Sequence, residues 1–136
     1  MRVAVDANVL VSALAFPHSV SARALAEVLE HHVLVLPAYV ADEVTRILAR
    51  RFPKALEAWE AFLETGGFER VPADVGRTLE ALPTLRDPKD LPVLAAILVA
   101  KPDVFLTGDR DFRTPEVEGK LTVFSPGEFL TKLPLR

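Results

Sequence analysis

The sequence predicts an α/β protein in three layers, α/β/α, around a central five-stranded parallel sheet. Two observations carry that expectation. Five short runs are apolar almost throughout instead of alternating, as strands buried on both faces are. The longer stretches between them repeat apolar residues every three to four positions, the spacing of helices that cover a sheet. At 136 residues, half of them apolar and 26% charged, the chain suits one domain, 1–136, with a sizeable core.

The expected elements follow in order. Arg2–Asp6 reads as the first strand and HVLVL at 32–36 as the second. Phe68–Val71 is a weaker third, Val104–Thr107 a fourth and Leu121–Phe124 a fifth. Helices are expected near 8–14, 21–31, 38–52, 54–65, 73–82 and 91–100. Ser19 or Ser21 can cap the second helix, and Pro53 stops the third. Gly66-Gly67 closes the fourth, where a left-handed residue is wanted. Ser125-Pro126 has the form of a cap and first residue of a short helix ending near Lys132. Trp59 and Phe62 on the fourth helix fit the domain's own core better than a partner surface.

Composition narrows the function classes. With no cysteine, a disulfide scaffold, a thiolate zinc site and a cysteine nucleophile are excluded. No apolar run nears the ~20 residues of a membrane span, and no signal-peptide pattern is present, so a cytoplasmic protein with no membrane partner is expected. Glutamine is absent, Asn8 is the only asparagine, arginine outnumbers lysine 11 to 5 and there are 11 prolines, a thermophile's pattern. The net charge of −3 argues mildly against a nucleic-acid partner, unless bound cations offset the acids.

The acids are placed where chemistry is expected. Asp6 stands at the carboxyl end of the first strand, the sheet edge at which open α/β folds bind ligands. On the third helix Val40, Val44, Ile47 and Leu48 form one apolar face; Asp42 lies opposite it, and Glu43 lies at its edge with Arg46 and Arg50 on the same flank. In Arg86-Asp87-Pro88-Lys89-Asp90-Leu91-Pro92, starting the helix at Asp87 puts Pro92 at N5, where its missing N–H is felt. Starting at Asp90 puts Pro92 at N2, which favours Asp90 as the boundary residue. Val104-Phe105-Leu106-Thr107-Gly108-Asp109-Arg110-Asp111 repeats the first motif, with Gly108 permitting a tight turn and Asp109 emerging at the same sheet edge as Asp6.

Singly, each acid has a plain structural explanation: a cap at Asp6 or Asp90, a surface pair of Glu43 with Arg46, a Gly-Asp turn at Asp109. Their coincidence at one level of the fold points to a hard divalent cation, because gathered carboxylates repel unless a cation is held among them. His18, His31 and His32 lie away from these strand ends, and there is no phosphate-binding Gly loop or Ser–His–Asp elbow.

These motifs resemble the PIN-domain family across nearly the whole chain. Asp6-Ala7-Asn8 is similar to its opening D-x-N, and Glu43 to its helical acid. Asp87-Pro88-Lys89-Asp90 is similar to its third acidic motif, and Thr107-Gly108-Asp109-Arg110-Asp111-Phe112 to its fourth. Phe124-Ser125-Pro126-Gly127-Glu128-Phe129-Leu130 resembles the end of the VapC-like toxin branch of toxin–antitoxin systems. The resemblance implies adjacent first and fourth strands and a Mg²⁺- or Mn²⁺-dependent endoribonuclease. It implies Asp6, Glu43, Asp90 and Asp109 as catalytic, metal-binding carboxylates, Asp111 as an auxiliary ligand, and Asn8 and Thr107 as residues steadying them. Asp87 competes with Asp90 for the ligand role. One or two metals, and RNA or DNA as substrate, stay open. A cognate antitoxin and a homodimer are further family expectations.

Arg46 and Arg50 are the first candidates for RNA phosphate contacts, with Arg110 and Arg113 second; the competing reading is solvated charge and helix pairing. Two other functions stand beside the nuclease. One is a phosphatase or phospho-acceptor using Asp6 as covalent carboxylate, which wants a lysine beyond a later strand that this chain lacks. The other is a catalytically silent PIN-like scaffold.

Overall fold

A computed structural model describes residues 1–72 and 91–132. The chain runs β1 (Arg2–Val5), α1 (Ala7–Ala15), α2 (Val20–His31), β2 (Val33–Pro37), α3 (Ala38–Arg51), α4 (Pro53–Thr65) and β3 (Glu69–Val71). It continues through α5 (Leu91–Ala100), β4 (Val104–Leu106), a 3₁₀ turn (Arg110–Phe112), α6 (Pro115–Glu118), β5 (Val123–Phe124) and α7 (Pro126–Lys132). The helix expected near 73–82, and both Asp87 and Asp90, lie outside the described residues.

The five strands form one parallel sheet in the order β3-β2-β1-β4-β5. Because its helices cover both faces, the inner strands are apolar throughout: Val3, Ala4 and Val5, Leu34 to Leu36, and Val104 to Leu106 are all buried. The chain builds outward from β1 to β3, then crosses back to pair β4 with the free side of β1, Val5 standing opposite Leu106. That reversal makes the β1–β4 pair the topological switch point, where the loops leaving two adjacent strands diverge and open a crevice. The adjacency of first and fourth strands agrees with the expectation.

Local chemistry sets the helix ends. Ser19, rather than Ser21, caps α2 by accepting from the Ala22 amide at 3.1 Å. Pro53 occupies the first turn of α4, where its missing N–H is harmless, so the chain turns at Phe52. Gly66 closes α4 at φ 67°, a left-handed conformation that favours glycine. Trp59 is 1% exposed and donates its indole N–H to Thr45 Oγ1 at 3.0 Å, while Thr45 donates to the Ala41 carbonyl. Phe62 stacks on Trp59, so these aromatics pin α4 to α3 as core residues. Among the described residues no single helix is long and apolar enough to cross a membrane.

Candidate active site at the carboxyl edge of β1 and β4

Asp6 follows the last residue of β1, and its backbone N–H continues the ladder by donating to the Leu106 carbonyl at 2.8 Å. Its carboxylate is held at both oxygens. Oδ1 accepts from the Ala7 amide at 2.8 Å, which starts α1, and Oδ2 accepts from the Thr107 hydroxyl at 2.8 Å. Capping α1 and bonding to Thr107 are therefore one arrangement. The acid sits at the positive end of a helix while facing its neighbours across the sheet.

Thr107 is the hinge of the site and the one buried polar residue in the described core, 1% exposed. Its hydroxyl donates to Asp6 and accepts from the Asp109 amide at 3.0 Å. Asp109 Oδ1 in turn accepts from the Asp111 amide at 2.8 Å, folding 109–112 into the 3₁₀ turn. One hydroxyl thus joins two acidic segments about a hundred residues apart in sequence.

Electrostatics brings in the third acid. Burial pushes the Asp6 carboxyl above the usual range, the Thr107 and Ala7 hydrogen bonds oppose that shift, and the charges of Glu43 and Asp109 reinforce it. Glu43 is half-buried on α3 while Asp42 is exposed, as helix phase requires. Asp111 is half-buried in the 3₁₀ turn. Asn8 is exposed on the first turn of α1 and makes no side-chain hydrogen bond among the described residues.

One expectation needs correction. Gly108 lies outside the left-handed region, and a Cβ built there would meet nothing within 4 Å, so its turn does not require glycine. The Arg113 guanidinium is ion-paired with Glu118 at 2.6 Å and Glu128 at 2.6 Å. Arg46, Arg50 and Arg110 are exposed. No histidine joins the site: His32 faces Glu27 at 3.3 Å and the Phe129 ring.

Among the described residues no three acidic or histidine side chains converge into a ready cation site. The donors are nevertheless the right kind. Carboxylate oxygens suit Mg²⁺ or Mn²⁺, and Asp6 carries an electrostatic burden that a cation would relieve.

Comparison with known proteins decides the family. The profile described as PIN domain matches residues 3–117, most of the chain and both acidic strand ends. The chain belongs to the PIN domain family. Among solved structures, 15 chains match. One, from the crystal structure of VapBC2 from Rickettsia felis bound to a DNA fragment from their promoter, superposes with a TM-score of 0.63 at 12% identity. The match covers 92% of this PIN domain and 98% of that chain, a likeness of fold. Comparison with curated proteins gave no match.

Proposed function

We propose that this PIN domain is a Mg²⁺- or Mn²⁺-dependent endoribonuclease and the toxin member of a toxin–antitoxin pair. The observation that supports the nuclease reading is the Thr107 bridge, which ties the Asp6 carboxylate to the Asp109 backbone at the sheet's switch point, with the charges of Glu43 and Asp109 felt at Asp6. Asp6, Glu43 and Asp109 would hold the cation, with Asp90 as the fourth acid and Asp111 as auxiliary. Asp87 remains the competitor of Asp90, and Asn8 a steadying residue.

When bound, the cation supplies an activated water near neutral pH and offsets charge on the reacting phosphate. The chain's own residues orient two of these acids: Thr107 and the Ala7 amide hold both Asp6 oxygens, and the Asp111 amide holds Asp109 Oδ1. Arg46 and Arg50, exposed on the helix that carries Glu43, and exposed Arg110 beside Asp109, with Arg113, would contact backbone phosphates. The fold likeness to VapBC2 supports an antitoxin partner, and a homodimer of the toxin belongs to the same reading.

The test is cleavage of single-stranded RNA and DNA with Mn²⁺, with Mg²⁺ and with EDTA. The reading expects RNA cleavage that requires metal. A phosphoryl adduct trapped on Asp6 would instead mark a phospho-acceptor, and metal binding without cleavage would mark a silent scaffold.

A further inference from the structure

We propose that Glu128 is a positioning residue of this site: it holds Arg113 so that the turn bearing Asp109 and Asp111 keeps its conformation. The proposal rests on the nuclease reading for the role of that turn.

The acidic turn is an arc, 107–113, closed against a second arc, 124–128. Two ties close it. At one end the Thr107 amide donates to the Phe124 carbonyl at 3.0 Å. At the other, Arg113 Nη1 and Nη2 donate to the two Glu128 carboxylate oxygens at 2.6 and 3.4 Å. Glu128 is itself fixed: Oε1 accepts from the Ser125 amide at 2.9 Å, and the Glu128 amide donates to Ser125 Oγ at 3.1 Å. That reciprocal pair is a capping box at the start of α7. Lys132 Nζ at 3.2 Å from Oε2 and Glu118 at 2.6 Å from Arg113 Nε complete the network.

Within the arc each residue leans on its neighbour. Arg113 N–H donates to the Arg110 carbonyl, Phe112 N–H to the Asp109 carbonyl, and Asp111 N–H to the Asp109 carboxylate. Phe112 is buried edge-on against Phe105 of β4. Displacing Arg113 therefore displaces the turn that orients Asp109. Partly exposed ion pairs add little stability. Outer partners that orient a ligand can change metal affinity about 10- to 100-fold.

The experiment compares wild type with Glu128→Gln and Arg113→Lys, whose ammonium cannot fork onto a carboxylate. It reads amide hydrogen exchange over 107–113 without metal, Mn²⁺ binding from the free-ion electron paramagnetic resonance signal, and KM for a single-stranded RNA at saturating Mn²⁺. The clamp predicts at least tenfold faster exchange at Asp111 and Arg113, roughly tenfold weaker Mn²⁺ binding, and an unchanged KM. Wild-type exchange or wild-type Mn²⁺ affinity in Glu128→Gln overturns it. So does a lowered KM, because Arg113 would then have been released to bind phosphate. Wild-type protein that binds no Mn²⁺ overturns the nuclease reading instead, and exchange alone then decides whether the clamp holds the turn.

Discussion

Thr107→Val keeps the shape of a fully buried side chain and removes only its hydroxyl. In the native protein that hydroxyl donates to Asp6 at 2.8 Å and accepts from the Asp109 amide at 3.0 Å. A hydrogen bond to a charged group contributes about 1.5–3 kcal/mol and a neutral one about 0.5–1.5. The loss should therefore depend on whether Asp6 is ionised. Its folded-state pKa is raised, so its charge develops above the ordinary carboxylate value of about 3.9. Below that value both proteins hold a neutral Asp6, and the substitution removes a neutral bond. Above the raised value it removes a charge-assisted one, so the penalty grows by about 1 kcal/mol. With an unfolding entropy of ~2.1 cal/mol/K per residue, each 1 kcal/mol shifts the midpoint of a chain this long by about 3.5 °C. Thermal melts in EDTA at pH 3.5 and pH 8 should show the wild-type advantage widening by roughly that amount. An equal advantage at both pH values, or none, would refute the bridge as the organiser of the site.

The other predictions follow from the same geometry. Because folding raises the Asp6 pKa, the metal-free protein loses stability as pH climbs from the unfolded carboxylate value through the folded one. Asp6→Asn should thus melt higher than wild type in EDTA at pH 8, with the gap closing towards pH 4, and should gain nothing from added Mn²⁺; a lower melt at pH 8 contradicts the sign. Arg50→Ala should weaken RNA binding without sequence preference and reduce the salt slope of log K by about 1; an unchanged slope would leave Arg50 as surface charge. Gly66→Ala, at φ 67°, should lower stability by about 1 kcal/mol, whereas Gly108→Ala should stay within about 0.5 kcal/mol and keep activity. Urea titrations and the cleavage assay check both.

What could be read in advance depended on whether the decisive interaction was local. Asp6 and Asp109 were legible because uniformly apolar runs mark buried parallel strands, and the residue after such a run must emerge at the carboxyl edge. Glu43 was separable from Asp42 by helix phase alone, and the structure leaves Asp42 exposed and Glu43 half-buried. The choice between Ser19 and Ser21 was not legible, since either can precede a first helical residue; the helix starts at Val20, which selects Ser19. The 3₁₀ turn and α6 escaped because three- and four-residue elements show no periodicity. The ion pairs of Arg113 were not legible because Glu118 and Glu128 reach it only through the folding of α6 and α7. Glu128 did leave a signal: Ser125-Pro126-Gly127-Glu128 has the capping-box spacing, which marks a carboxylate fixed at a helix start.

If Asp6 and Asp109 together hold the proposed cation, removing either carboxylate must weaken its binding. Mn²⁺ binding, with cleavage of single-stranded RNA measured in parallel, is compared for wild type, Asp6→Asn and Asp109→Asn, with EDTA as the control. Wild type should bind and cleave, each substitution should weaken both by at least tenfold, and EDTA should abolish cleavage. Full Mn²⁺-dependent cleavage by either variant would contradict that joint role.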